Sequence, residues 1–245
     1  MTTGEFNNEF DIYYNSIASN SAPGLDLYEK SVYLTKAQLE LVKNYFNPKG
    51  NKYQVGFEGD SKRRIDLQNL ITSGVSIDKI DASGINDNST FFTIPNDTYI
   101  IIQEECKVDE PNLCINNKYL KVVPKTHDEY NTQINNPFKK PDNKLAWRID
   151  NGLVNSVTNV EIISKYDLKE YKFKYIMYPS PIVLTNLATL YPGEGLSIDG
   201  VTSEQTCKLN KGIHREILDR AVELALADYK PNSVQLKAQM NLRNE

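Results

Sequence analysis

Over roughly the first seventy positions, apolar residues return at helical spacing. Phe6, Phe10, Tyr13 and Ile17 share one face of a helix that Asn7 or Asn8 can start. Ala22-Pro23-Gly24 breaks that pattern. Thr35-Lys36-Ala37-Gln38 then reads as a capping box, with Leu34 and Leu39 at the two positions of a hydrophobic staple. Leu39, Val42 and Phe46 continue the stripe to Asn47-Pro48, so the spacing predicts a helix that opens at Thr35 and stops there.

From about residue 75 to 205 the period shortens. Thr98–Glu104, Tyr119–Val123, Leu145–Ile149, Val160–Ser164 and Tyr171–Tyr178 are short runs rich in Ile, Val, Tyr and Phe. Asn, Asp, Pro and Gly bound them, and such runs predict strands of an antiparallel sheet or small barrel. Lys172 and Lys174 alternate with Phe173 and Tyr175, as on a strand with one wet face. Asn116-Asn117 and Asn151-Gly152 are turn signals, the second that of a hairpin.

After Gly212 the helical period returns in Ile213, Ile217, Ala221, Leu224 and Ala225. Arg215–Asp219 and Glu216–Arg220 have the spacing of outer-face ion pairs, worth a few tenths of a kcal/mol each. Burial of the stripe must therefore hold this helix, which Lys230-Pro231 ends. Residues 232–245 are polar with scattered Val234, Leu236, Met240 and Leu242, either frayed or docked on a neighbour.

This order predicts an α+β fold. Residues 1–74 and 206–230 form a helical core, with the N- and C-terminal helices packed together as a bundle. Residues 75–205 form an antiparallel β-rich insertion, and residues 231–245 a tail, flexible or held by a partner.

Composition narrows the class. A chain of 245 residues with 40% hydrophobic and 24% charged residues can bury enough surface to fold without a disulfide or metal. Fifteen Tyr against eight Phe and one Trp suit half-buried positions on strands or at interfaces. A net charge of −4 and a pI near 5.4 argue against nucleic-acid binding by bulk electrostatics. Lys62-Arg63-Arg64 is bracketed by Asp60 and Asp66 and reads as a solvated or inter-subunit ion-paired face. Cys106, Cys114 and Cys207 form no C-x-x-C and suit a reducing cytoplasm. Cys106 and Cys114 either meet across a hairpin or are small buried residues on strands. The N-terminus lacks the cationic-then-apolar pattern of a signal peptide, and Pro179, Pro181 and Asn186 interrupt the longest apolar stretch, so no membrane contact is expected.

Catalytic patterns are missing. There is no P-loop, G-x-S-x-G, G-x-G-x-x-G or H-E-x-x-H, and two His leave few ways to build a metal site or triad. His127 reads as solvated, at a loop or at a helix start capped by Thr126 or Asp128. His214 reads as a surface or inter-helix polar residue. Glu104-Glu105 and Asp109-Glu110 read as solvated loop, and Tyr191-Pro192-Gly193-Glu194-Gly195 as a turn. No cofactor and no metal are expected. Asn136-Pro137-Phe138-Lys139-Lys140-Pro141 offers either an exposed aromatic hook for another chain or a local aromatic–proline cluster.

Several of these segments together resemble a family. Ala22-Pro23-Gly24-Leu25 through Tyr28-Glu29-Lys30-Ser31 to Leu34-Thr35-Lys36-Ala37-Gln38 carries the likeness, with Thr126-His127-Asp128-Glu129-Tyr130, Asn136-Pro137-Phe138 and the helix from His214 to Ala225. The chain resembles the virion ring proteins of crAss-like phages of Bacteroidetes. The resemblance implies a head-tail connector or adaptor ring of about twelve copies below the portal, closed head to tail through two different faces. It implies contacts with portal, neighbouring ring or tail proteins and passing contact with packaged DNA, and a virion subunit without catalytic residues assembled in the host cytoplasm. Phe138, Lys139, Lys140, His214, Leu236, Met240 and Leu242 are the candidate interface residues. A glycan- or receptor-binding tail module is the alternative, and a small hydrolase with carboxylates on the sheet a third reading.

Overall fold

The computed structural model describes residues 1–18, 24–46, 59–77, 79–80, 84–154 and 157–229. The fold is α+β, and the chain divides into two compact units: residues 1–70 with 179–245, and residues 71–178.

The first unit is helical. Helices α1 (Thr3–Ala18), α2 (Leu27–Phe46) and α6 (His214–Tyr229) pack on one another, so the N- and C-terminal helices do form one bundle, and the single turn α5 (Leu187–Leu190) precedes α6 in the chain. The buried face of α1 is Phe6, Phe10 and Tyr14, while Tyr13 is exposed. Ile17's side chain lies outside the described residues. The predicted face was thus turned by one residue, because neighbouring Tyr13 and Tyr14 both fit helical spacing. Burying Phe6 and Phe10 contributes roughly 1.5–3 kcal/mol each. Ile213, Ile217, Leu218, Ala221, Val222, Ala225 and Leu226 form the buried stripe leading into and along α6. Glu216 pairs with Lys62 at 2.6 Å, and Arg220 with Glu40 at 2.8 Å and Glu223 at 3.2 Å, so the outer-face charges tie to other partners.

Helix α2 opens eight residues before the predicted Thr35. Asp26 Oδ1 accepts from the Glu29 amide at 2.7 Å, and Glu29 Oε2 accepts from the Asp26 amide at 3.0 Å. That reciprocal pair is a capping box at the true start. Thr35 lies mid-helix, where its hydroxyl bonds the backbone of Ile182.

Helix α3 (Ser61–Leu67) is capped by Asp60, whose side chain accepts from the Lys62 amide. Arg63 is buried with its guanidinium 5.3 Å from the Tyr45 ring centre, and the Tyr45 hydroxyl donates to Asp66 at 3.0 Å. The expected solvated or inter-subunit basic face is therefore wrong for Arg63, which packs inside its own unit.

The second unit is one sheet in the order β1-β8-β4-β5-β6-β7-β3-β2. Its strands are β1 (Ile71–Ser76), β2 (Lys79–Ile80), β3 (Ser89–Ile94), β4 (Thr98–Val108), β5 (Tyr119–Pro124), β6 (Leu145–Val154), β7 (Val157–Ile163) and β8 (Leu168–Met177). All five predicted runs are strands, and the last strand ends at Met177 rather than near residue 205. Helix α4 (His127–Gln133) lies between β5 and β6, which pair in parallel; every other pair is antiparallel. A parallel pair needs a crossover, and residues 125–144 supply it.

β1 pairs with β8, and β2, which begins three residues after β1 ends, pairs with β3 at the far end of the sheet. The two strands lie almost continuously along the chain, and the Ser76 hydroxyl sits 3.4 Å from that of Thr93 on β3. The sheet therefore curls until its two ends approach. Phe92, Ile94, Cys106, Val108, Leu120, Val122, Ala146, Val160, Ile162, Leu168, Tyr171, Phe173 and Tyr175 form one core. Trp147, Ile149 and Ile163, on the opposite face, pack with Tyr130 of α4.

Asn151-Gly152 is not a hairpin turn. Gly152 has φ +79° and lies at a register shift inside the β6–β7 pairing, the signature of a bulge. Asn117, with φ +61°, does sit in the turn between β4 and β5.

Candidate functional site

The Phe138 segment is a built turn. Thr126 caps α4 and forms a capping box with Glu129, leaving His127 exposed. Tyr130 anchors the helix edge-on against Trp147, ring centres 6.3 Å apart. Beyond α4, Asn136 Oδ1 accepts from the Phe138 amide at 3.0 Å, and the Asn136 carbonyl accepts from the Lys139 and Lys140 amides at 3.1 and 3.0 Å. Asp142 Oδ1 then accepts from Lys144 and Leu145 at 2.7 and 2.9 Å, returning the chain to the sheet. The Phe138 side chain is 96% exposed between exposed Lys139 and Lys140. The ring is exposed and does not pack on its own sheet.

His214 is on no surface. It is 3% exposed, its Nε2 is 3.1 Å from the Leu209 carbonyl, and its Nδ1 is 2.6 Å from the Met1 amino group. The Phe6 ring is 5.4 Å away. Of the two expected settings it has the inter-helix one, so its contacts are internal and it is not available to another chain. Burial lowers its pKa below the usual 6.5, and the nearby amino group and Lys211 push the same way. Leu236, Met240 and Leu242 lie outside the described residues.

The distinctive Ser31-to-Gln38 stretch is also internal. Ser31, Thr35 and Gln38 share one face of α2 and bind the extended segment 180–184. Ser31 Oγ accepts from the Leu184 amide at 3.0 Å. Thr35 Oγ1 donates to the Ile182 carbonyl at 3.2 Å and accepts from its amide at 3.1 Å. Gln38 Nε2 donates to the Ser180 carbonyl at 2.8 Å, and its Oε1 accepts from the Cys207 thiol at 3.2 Å. The helix satisfies the backbone of this segment at residues 180, 182 and 184, while Val183 between them pairs with the backbone of Gln205. Lys30, in the same motif, is buried and reaches Asp11 at 2.7 Å and Asn7 at 2.9 Å on α1.

Two carboxylates of the sheet, Glu104 and Glu161, are buried and engaged in internal contacts. Glu104 lies on β4, not in a loop; one oxygen accepts from Arg148 at 2.7 Å and the other from the Tyr171 hydroxyl at 2.8 Å, all within the core. Burial raises the Glu104 pKa, and Arg148 opposes that rise. Glu161 is fully buried and accepts from the Ile85 amide, the Ser89 hydroxyl and the Asn151 amide group. Both carboxylates are sealed and have all their oxygens engaged. Cys106 and Cys114 do not pair: Cys106 is buried, its pKa pushed up to about 12 by burial, and Cys114 is exposed in a loop. No cluster of metal-binding side chains occurs among the described residues, and none of their helices is long and apolar enough to cross a membrane.

One exposed feature was not read from the sequence. β1 and the residue after it, Ile71-Thr-Ser-Gly-Val-Ser-Ile77, carry no charge and no proline. Ile71, Val75 and Ile77 are 36%, 57% and 65% exposed at one end of the sheet order. A β-branched run without charges was the available signal, masked by the Ser, Thr and Gly that interrupt it.

Comparison with known proteins agrees with the resemblance. Residues 1–237 match the phage tail ring protein 3/4 family. The chain is 41% identical over 249 residues to ring protein 4/5 of Bacteroides phage crAss001, covering all of both chains. It is 36% identical over 228 residues to ring protein 3 of the same phage, covering 92% of this chain and 95% of that one. Spanning nearly the whole length, these matches make the chain a member of the phage tail ring protein 3/4 family of crAss-like phages, a structural ring protein of the virion.

Proposed function

We propose that this chain is a non-enzymatic adaptor subunit of the phage neck, forming a ring between portal and tail around the passage for DNA. Family membership across residues 1–237 carries the reading. Sealed carboxylates and a distinctive motif spent on internal packing favour a structural role. About twelve copies close the ring, in which each subunit meets the next through two unlike faces. The helical unit builds the ring wall, and the β unit reaches a portal, ring or tail partner through Phe138, Lys139 and Lys140. A few buried side chains dominate many interfaces, and the exposure of the Phe138 ring in the single chain supports this part of the reading. Residues 232–245, with Leu236, Met240 and Leu242, dock on a neighbour. Assembly takes place in the host cytoplasm.

Native mass measurement of the full chain, alone and with portal protein, tests the ring. The expected result is a closed oligomer of about twelve copies; a persistent glycan-binding trimer overturns the proposal. Deleting residues 232–245 is expected to weaken assembly more than subunit folding.

A further inference from the structure

The tail has a stricter pattern than scattered hydrophobes. From Val234 to Leu242 the chain reads Val-Gln-Leu-Lys-Ala-Gln-Met-Asn-Leu, with every even position apolar and every odd one polar. In a strand, with its period of about two residues, all five apolar side chains fall on one face; a helix of about 3.6 residues per turn divides them between two opposite sides. Pro231, which lacks an amide hydrogen and crowds the preceding turn, disfavours a helix running through residues 230–235. Extended, residues 230–245 reach roughly 50 Å, about the width of a small domain and enough to cross to an adjacent subunit.

The second unit holds a matching acceptor. Natural proteins blunt an edge strand with charge, proline or shortness. β2 is blunted, being two residues long with Lys79. β1 is six residues long and uncharged, and its described backbone pairing is with β8 alone. It nears β3 where the Ser76 and Thr93 hydroxyls meet, at its C-terminal end. Its own residues also alternate: Ile71, Val75 and Ile77 point to one side, and Thr72 and Ser76 to the other. A strand with one apolar and one polar face extends both sides of β1 in kind.

We infer that residues 234–242 add as a β-strand to the edge of β1 in a second copy of this chain, their even positions beside Ile71, Val75 and Ile77. The inference rests on the ring reading and gives it a mechanism. Donor and acceptor are different surfaces, so the contact is head to tail and propagates from copy to copy until the ring closes. Main-chain hydrogen bonds supply attachment, and the alternation fixes register by face.

Disulfide trapping between two populations of the full chain tests it, both carrying Cys114→Ser. One population bears Val75→Cys, and the other bears a single cysteine at each of positions 236 to 240 in turn. Mixed and oxidised, they are expected to give a cross-linked pair of chains with Leu236→Cys, Ala238→Cys or Met240→Cys. Lys237→Cys and Gln239→Cys are expected to give little or none. Val75→Cys lies on an exposed position, and an unchanged melting temperature confirms that it folds. Amide exchange across residues 71–77, compared between the native chain and Leu236→Lys/Met240→Lys, provides a second measurement: protection is expected in the first and lost in the second. Cross-links confined to single chains, links without parity, or no mixed link at any position overturn the inference. If rings still form by mass, the strand exchange alone has failed; if no ring forms with portal protein present, the ring reading has failed as well.

Discussion

At the scale of single residues, the informative side chains are polar ones that fold inward. Thr35 has one hydroxyl serving both the amide and the carbonyl of Ile182, in a buried setting. Thr35→Val keeps the shape and strands both backbone groups. It should destabilise the helical unit by about 1–3 kcal/mol, read as a lower denaturant midpoint at unchanged slope. His214 gives a pH dependence of known sign. Its pKa in the folded chain lies below the unfolded value of 6.5, so the unfolded chain binds more protons in that interval. Its contribution is fully present above pH 6.5 and is lost as pH falls through the folded-state value. His214→Gln should flatten the stability profile across that window, which thermal melts from pH 7 downward would measure. A profile of unchanged slope would remove His214 from the account. None of this burial could be read beforehand, because Ser, Thr, Gln and His are equally at home in solvent.

At the scale of elements, the type of structure was more legible than its edges. Five strands and both bundle-forming terminal helices followed from period alone, since alternation and helical spacing are imposed by the faces they bury. The start of α2 did not. Thr35-x-x-Gln38 and Asp26-x-x-Glu29 both have capping spacing, and only the packing of Ser31 and Thr35 against segment 180–184 selects the earlier one. Asp26→Ala should accordingly cost about 1 kcal/mol and speed amide exchange over residues 27–30 while leaving residues 35–38 protected. The opposite pattern of exchange would restore Thr35 as the cap. Asn151-Gly152 misled for a related reason: a glycine at positive φ serves a tight hairpin and a bulge equally well. β1 to β3 escaped notice because Ser, Thr, Gly and Asn dilute their apolar residues.

At the scale of the whole molecule, sequence pattern located the helices at both ends and the strands between, while long-range pairing supplied the rest. The parallel join of β5 to β6 and the strand passing from β8 to β3 depend on residues far apart in the chain. The candidate surface divides cleanly. Phe138 proved exposed, His214 proved buried, and the exposed residues Ile71, Val75 and Ile77 fell at one end of the sheet order of the described strands. Phe138→Ala should change the melting free energy by no more than about 0.5 kcal/mol, as expected for a side chain touching little of its own unit. The same substitution should reduce co-purification with portal, ring or tail proteins in assembled particles. Full incorporation of the alanine variant would exclude Phe138 as an anchor.

The pairing of β1 with β8 also bears on how the protein is made. Ile71 lies opposite Ile176, so the sheet cannot be completed until more than a hundred further residues have been synthesised. The helical unit waits longer, since Phe6 and Phe10 on α1 are covered with the help of α6, which begins at His214. A ribosome adding about 5–20 residues per second leaves β1 unpaired for roughly five seconds or more and α1 uncovered for roughly ten or more. Long-range closure of this kind is also slow in itself. During translation the apolar face of α1 and the unpaired backbone of β1 are thus open to host chaperones, and subunits become competent for assembly only after α6 has emerged.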